Sequence, residues 1–261
     1  MRIALCIEYN GTRYFGWQAQ TTKSKNTIQY HIDLAISNIS NEKITSICAG
    51  RTDTGVHAIN QIIHFDTLSK RKDNNWINGI NALLPNDIKV KKIFHVDNTF
   101  HARFSAISRK YRYIIYNDIL MPTFFNNLVY HYKEKLNIQN IRKSSKFLLG
   151  KHDFSSFRSS GCQSNSPIRT IKKIEVKKIK KFLIIDIIAD SFLYHMVRNI
   201  VGTLLDIGTD KYTSTHMKNL ILMKDRSKAS KMISASGLYL FNVNYSKKYN
   251  INVNNNDFYL C

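Results

Sequence analysis

The sequence is short of acids, of patterned cysteines and of long apolar runs, and each shortage removes a class of function. Four cysteines, Cys6, Cys48, Cys162 and Cys261, are scattered through 261 residues with no CxxC or Cys/His spacing. No zinc site is outlined, and reduced thiols in a cytoplasmic protein are the simplest account. The most apolar run, Phe182 to Ala189, is broken by Asp186 and falls far below the roughly 20 residues a membrane helix needs. The amino-terminal stretch meets its first acid at Glu8, before a signal-type apolar core could form, so neither export nor anchoring is expected. A Walker-type glycine loop, a GxGxxG opening a helix, a GxSxG elbow and an HExxH pair are all missing. Nucleotide hydrolysis, dinucleotide redox chemistry, serine hydrolysis and zinc proteolysis lose their main supports.

The shortage of acids has the opposite effect. With 18 Asp+Glu against 39 Lys+Arg the formal charge is +21, a balance that repels itself unless a polyanion repays it. Nucleic-acid phosphate is the economical partner, through counterion release and steering. An anionic membrane surface is the rival, and a coding bias toward Lys, Asn and Ile accounts for part of the excess. At 43% hydrophobic residues the chain has enough apolar side chain for one large or two ordinary cores.

Residues 2–9 alternate like a strand, and Gly11 turns the chain into Thr12-Arg13-Tyr14-Phe15-Gly16-Trp17-Gln18-Ala19-Gln20. That aromatic, amide-rich segment suits either base stacking or a core. Thr27 caps a helix with Ile28, Ile32, Ala35, Ile36 and Ile39 at helical spacing. A strand over Ile44–Cys48, a loop, and a strand over Gln61–Phe65 follow. A second helix around Trp76, Ile80 and Leu84 stops at Pro85, and a strand runs from Ile88 to Val96.

Beyond Phe100-His101-Ala102-Arg103-Phe104 the basic aromatic strand 109–116 puts Tyr111, Tyr113 and Ile115 on one face and Lys110, Arg112 and Ile114 on the other. One face could meet nucleic acid, or one could meet a core. A helix over Asn137–Leu149 capped by Gly150, a polar loop over 151–169, and strands 170–177 and 182–189 come next. The lysines between those strands read as a solvated hairpin tip. A helix carrying Leu193, Met196, Val197, Ile200, Val201 and Leu204 places Arg198 at the edge of its apolar stripe, a half-buried cation in want of an acid. A helix over Ser214–Met223, a strand over Gly237–Phe241 and an Asn-rich tail complete the chain.

The expected architecture is therefore α+β: two similar α/β halves with mixed, mainly antiparallel sheets around a basic cleft, 1–105 carrying the Asp53 loop and 106–246, with 247–261 as a tail.

The stretch with most chemical promise is Gly50-Arg51-Thr52-Asp53-Thr54-Gly55-Val56-His57-Ala58. Two glycines bound one carboxylate, as in a tight loop leaving a strand and presenting Asp53, or as in an ordinary Asx turn. Its setting favours the first. Tyr9-Asn10-Gly11-Thr12 with Gly16-Trp17-Gln18-Ala19-Gln20, the Asp53 loop, Asn81-Ala82-Leu83-Leu84-Pro85, Phe100-His101-Ala102-Arg103, Tyr111-Arg112-Tyr113, Gly150-Lys151-His152-Asp153-Phe154, Met196-Val197-Arg198-Asn199 and Gly237-Leu238-Tyr239-Leu240 occur in that order. Together they resemble the tRNA pseudouridine synthase A family, over nearly the whole chain up to about residue 245. Thr54 stands where many members carry alanine.

The resemblance implies the pseudouridine synthase fold and a homodimeric cytoplasmic isomerase without cofactor or metal. It would convert uridine to pseudouridine at positions 38, 39 and 40 in the anticodon arm of tRNA. It assigns Asp53 as catalytic aspartate, Tyr111 as active-site tyrosine and Arg198 as the basic partner of the acid. Arg51, Arg103, Arg13 and Gln18 are expected to contact substrate, with structural ion pairing an equal alternative for Arg51 and Arg103. His57 has two readings, orienting the loop or moving a proton, and no partner is visible for the second. Attack of the carboxylate at C1′, attack at C6 and a route through a sugar alkene all remain open. Two other classes compete: a non-catalytic RNA-binding protein, and an RNA-directed hydrolase using a carboxylate pair.

Overall fold

The amino-terminal strand β1 (Arg2–Tyr9) is buried along most of its length, with Ile3, Leu5 and Ile7 fully inside. Each such side chain contributes about 1.5–3 kcal/mol on leaving water. The computed structural model describes residues 1–19 and 26–253, so Gln20 and the tail from 254 lie outside the described residues. The chain divides into two units, Met1–Ile107 with the chain from Tyr239 onward, and Ser108–Leu238.

In the first unit α1 (Ile28–Ser40), β2 (Ile47–Cys48), β3 (His57–Asp66), α2 (Asp73–Leu83) and β4 (Ile88–Val96) follow β1. β1 runs antiparallel to both β3 and β4, with Leu5 opposite Ile63 on one side and Ile93 on the other. Thr27 caps α1 as expected, its hydroxyl accepting from the Tyr30 N–H. α1 and α2 approach closely, the Ile39 side chain lying against Gly79. Leu84 is extended because it precedes Pro85, which ends α2 where the sequence predicts. β2 is shorter than expected and β3 longer.

The second unit holds β5 (Ala106–Asn117), β6 (Tyr130–Tyr132), α3 (Ile138–Ser145), β7 (Gly150–Asp153), β8 (Ile168–Ile179), β9 (Phe182–Ala189), α4 (Met196–Gly208) and α5 (His216–Met223). β9 pairs antiparallel with β5 and β8, β7 antiparallel with β8, and β6 parallel with β5. α3 is shorter than its apolar spacing suggests, giving way to a 3-10 turn at Lys146–Leu148, and Gly150, with φ +99°, opens β7. The last strand, β10 (Leu238–Tyr245), was expected with the second half. It pairs parallel to β3, Tyr239 opposite His57, and so joins the first unit. The secondary structure is thus α+β with mixed, mainly antiparallel strand pairing.

β5 alternates as the sequence suggests, and its basic face meets an acid within the fold. Arg112 Nε and Nη2 hold Asp186 at 2.7 and 2.8 Å, and Lys110 Nζ holds it at 2.9 Å. The Asp186 side chain is only 3% exposed. Burial pushes its carboxyl up, and the hydrogen bonds from Arg112 and Lys110 more than offset that, leaving it below the usual range. The interruption in the apolar run of β9 is therefore the anion of a buried triad. On the other face Tyr113 and Ile115 are core, the Tyr113 hydroxyl donating to Ser234 O at 2.6 Å. At the β8–β9 turn Lys181 pairs with Asp118 and Lys178 with Asn117, which agrees with a solvated tip.

Candidate active site

The expected site residues fall in both units. Asp53, Arg13, Gln18, Arg51 and Arg103 belong to the first, and Tyr111 and Arg198 to the second.

In the first unit the Asp53 loop is built by the turn that follows β1. Asn10 closes an Asx turn, its Oδ1 accepting from the Thr12 N–H at 3.1 Å, and Tyr14 donates its hydroxyl to Asp87. The chain thereby passes back under residues 52–56. Trp17 N–H donates to Thr52 O at 2.9 Å, the Tyr9 hydroxyl bonds the Thr52 hydroxyl at 2.8 Å, and Val56 N–H closes onto Asp53 O at 3.1 Å. Gly55 has φ +77° and Gly16 φ +83°.

At Gly16 the contact is tight. A Cβ there would lie 2.6 Å from Thr52 O and 3.0 Å from the Asp53 carbonyl carbon. Only glycine lets the two segments meet. His57 is 1% exposed, accepts at Nδ1 from Gly11 N–H at 3.1 Å, and stacks on Tyr239 with ring centroids 4.7 Å apart. It fastens the far end of the loop, which agrees with the orienting reading. Asp53 is half-buried at the crest of this clamp and Thr54 is exposed, so the hydroxyl and methyl that threonine adds to an alanine Cβ meet no packing objection.

The other first-unit residues sort by exposure. Tyr14 and Trp17 are core at 4% and 1% exposed, so of the aromatic segment only Phe15 faces solvent. Arg13 is exposed, and Gln18, also exposed, donates from Nε2 to Gln29 Oε1 at 3.0 Å. Arg51 and Arg103 are both exposed. Both guanidinium groups act on the Cys48 thiol, opposing the burial that drives it up to about 12. Both cations therefore act on one buried thiol of the unit, and Arg51 lies two residues from Asp53.

In the second unit Tyr111 sits on β5 opposite Ile187, half-buried, its ring edge-on to Phe192 at 4.9 Å. Arg198 lies in the first turn of α4 and is half-buried, as the apolar stripe suggests. Its Nε donates to Ile233 O at 2.8 Å. The segment carrying Ile233 lies close across α4 because Gly202 has no Cβ, which would sit 2.5 Å from Lys231 O. Asn199 is fully buried and locks the start of the helix, donating to Phe157 O and accepting from Arg226 Nη2, both at 2.9 Å.

Sequence reasoning missed the clamp as a working unit. Its signal was the pairing of Tyr9-Asn10-Gly11-Thr12 and Gly16-Trp17 with the Asp53 motif. Among the described residues no group of three or more His, Cys, Asp or Glu side chains is arranged to hold a metal ion.

A family model described as tRNA pseudouridine synthase matches residues 5–105 and 145–246. A protein named tRNA pseudouridine synthase A from Buchnera aphidicola subsp. Schizaphis graminum (strain Sg) is 49% identical over 98% of this chain and 97% of its own. Proteins of the same name from Shewanella piezotolerans and Klebsiella pneumoniae (strain 342) are 45% and 43% identical, over 96% and 97% of this chain and 95% and 93% of theirs. A solved structure described as a Cbf5-Nop10-Gar1 complex is 10% identical, with a TM-score of 0.35 over 91% of this chain and 57% of that one. That likeness is too slight to carry an argument.

Proposed function

The chain belongs to the tRNA pseudouridine synthase family, and from that premise we propose that it isomerises uridine to pseudouridine at positions 38, 39 and 40 in the anticodon stem-loop of tRNA. The observation that carries the proposal is the Asp53 loop: a carboxylate on a loop fixed at both ends by backbone contacts that tolerate only glycine at Gly16. A rigid mount of this kind suits a group that must meet a reacting carbon within a fraction of an ångström.

The reaction breaks the N1–C1′ bond, turns the base, forms C5–C1′, loses the proton on C5 and gains one on N1. Nothing is consumed, so no co-reactant is required. Asp53 supplies the carboxylate that takes up charge at the sugar or the base. Tyr111 gives a face for the extruded uracil, and Arg198 is read as the basic residue that serves the acid. Extruding the base costs on the order of a few kcal/mol, and aromatic stacking at about 1–3 kcal/mol per base is of a size to offset it. Arg51, Arg103, Arg13 and Gln18, all exposed, are read as RNA contacts.

The reading is completed by a homodimer working in the cytoplasm. No helix among the described residues is long and apolar enough to cross a membrane.

The test is a single incubation of purified protein with an unmodified tRNA transcript, followed by chemical labelling of pseudouridine. Asp53→Asn is expected to abolish product while leaving folding and transcript binding within about threefold. A folded wild-type protein that binds the transcript and forms no pseudouridine overturns the proposal. Release of free uracil would point instead to hydrolysis.

A further inference from the structure

Phe104 is 77% exposed, although one face of its ring is stacked on His101 with centroids 4.3 Å apart and planes at 29°. A ring covered on one side yet this accessible is still largely in water, with the Arg103 guanidinium over it at 5.6 Å from the centroid. The turn beneath is rigid. His101 Nδ1 accepts the N–H groups of both Arg103 and Phe104 at 3.2 Å, Ser105 N–H bonds His101 O at 2.9 Å, and His101 N–H bonds the Ser105 hydroxyl at 3.0 Å. Ala102 is tied through its N–H to His64 and through its O to the Tyr245 hydroxyl.

The surroundings suit an anion carrying a flat group. Arg103 is thus a cation at the ring itself, and Arg51, exposed in the same unit, acts with it on the buried Cys48 thiol. His101 is held below the ordinary histidine range by burial and by Arg2 and Arg103, so it supports the ring as a neutral imidazole at pH 7.

We propose that Phe104, propped by His101, is a stacking platform for an unpaired nucleobase of the substrate RNA, with Arg103 and Arg51 taking the adjoining phosphates. The inference rests on the tRNA reading above and deepens it. An aromatic face with no donor or acceptor registers that a base is unpaired without registering which base it is. The energetic logic is the ordinary one for single strands: a preordered ring loses little freedom on binding, and the base covers apolar surface that the fold leaves wet.

The experiment uses the full-length protein and tRNA transcripts carrying 2-aminopurine at each unpaired anticodon-loop position in turn. Wild-type protein is expected to form pseudouridine on these transcripts and to quench the fluorophore at one position. Phe104→Ala is expected to abolish that quench and to weaken transcript binding about 5- to 150-fold, raising KM with kcat little changed. Phe104→Trp restores both and Phe104→Leu does not. The salt dependence of binding should be unchanged in Phe104→Ala and shallower by about one counterion in Arg103→Ala. Because the side chain is exposed, truncation leaves the core intact, and an unchanged melting temperature checks this. Product formation with no quenched position, binding by Phe104→Ala within twofold of wild type, or full rescue by leucine would each overturn the platform. Absence of product from the wild type would instead overturn the tRNA reading.

Discussion

Replacing Gly16 by alanine tests whether the Asp53 loop works because of its clamp. The new Cβ would lie 2.6 Å from Thr52 O, 3.0 Å from the Asp53 carbonyl carbon and 3.1 Å from Thr54 N, all backbone atoms. Ordinary contact begins at 3.4 Å, so the loop must retreat by about 0.8 Å or the 2.9 Å bond from Trp17 N–H to Thr52 O must break. The left-handed backbone at φ +83° adds about 1–2 kcal/mol for alanine. With the clash, the total loss of stability is about 2–4 kcal/mol, which lowers the melting temperature by roughly 5–15 °C.

The catalytic effect should be larger than the loss of fold, since a displacement near 1 Å costs about 100-fold in rate. Single-turnover pseudouridine formation on a saturating transcript is the assay, at a temperature where the variant is fully folded. Transcript affinity should stay within about threefold. Gly161 provides the control: its φ is +78°, and an added Cβ meets nothing within 4 Å. Gly161→Ala carries the same backbone penalty without touching the loop, so its rate should match wild type. A Gly16→Ala enzyme with wild-type rate, or equal losses in the two variants, would refute the clamp.

The other expectations are briefer. His57→Ala leaves the buried Gly11 N–H without its 3.1 Å acceptor, costing about 1–3 kcal/mol and slowing the reaction, whereas His57→Asn, which can present an acceptor in place of Nδ1, should keep most of the rate. Burial drives the Asp33 carboxyl up to about 6 against the hydrogen bonds from Ser46. Its folded value is raised above the unfolded one, so its contribution to stability is present below about pH 4 and is lost as pH rises through 6. Thermal melts should then show Asp33→Asn stabilising at pH 7–8, by on the order of 2–3 kcal/mol, and making no difference at low pH. Arg112→Leu leaves the buried Asp186 anion one partner short, which should cost about 3–5 kcal/mol in denaturant melts while leaving the salt dependence of transcript binding as in wild type.

That last contrast shows what a linear reading could and could not see. The alternation of β5 was legible, and it set Lys110 and Arg112 on one face. What that face meets was not, because the partner is Asp186, 74 residues on, facing Arg112 across the β5–β9 pair. The same charge that makes nucleic acid a sensible partner for the whole chain is here consumed inside one unit. β1, β4 and β9 were legible to the residue or nearly so, their burial being strong and their ends marked by local turns. α3 was not, since its spacing of apolar residues continues into a 3-10 turn that backbone geometry closes early. β10 could not have been placed by local signals at all: its partner, β3, begins at His57.

The site shows the same division between chemistry and mounting. Asp53 was singled out by the order of the motifs around it, since by itself a carboxylate between glycines reads as an ordinary Asx turn. The mounting was scattered over three motifs whose association only folding reveals: Gly11 bonded to His57, Gly16 pressed on Thr52, and Tyr14 anchored on Asp87 beyond Pro85. These contacts give the motifs a common physical cause. A substitution in the first turn of the chain reaches the carboxylate through the hydrogen bonds at Thr52 and His57 and the contact at Gly16, without meeting substrate. The buried residues of the Tyr9–Trp17 turn should therefore change kcat together with Asp53-loop geometry, whereas the exposed Arg13, Arg51, Arg103 and Phe104 should change KM. Sorting variants by that split separates the mount from the surface that meets RNA.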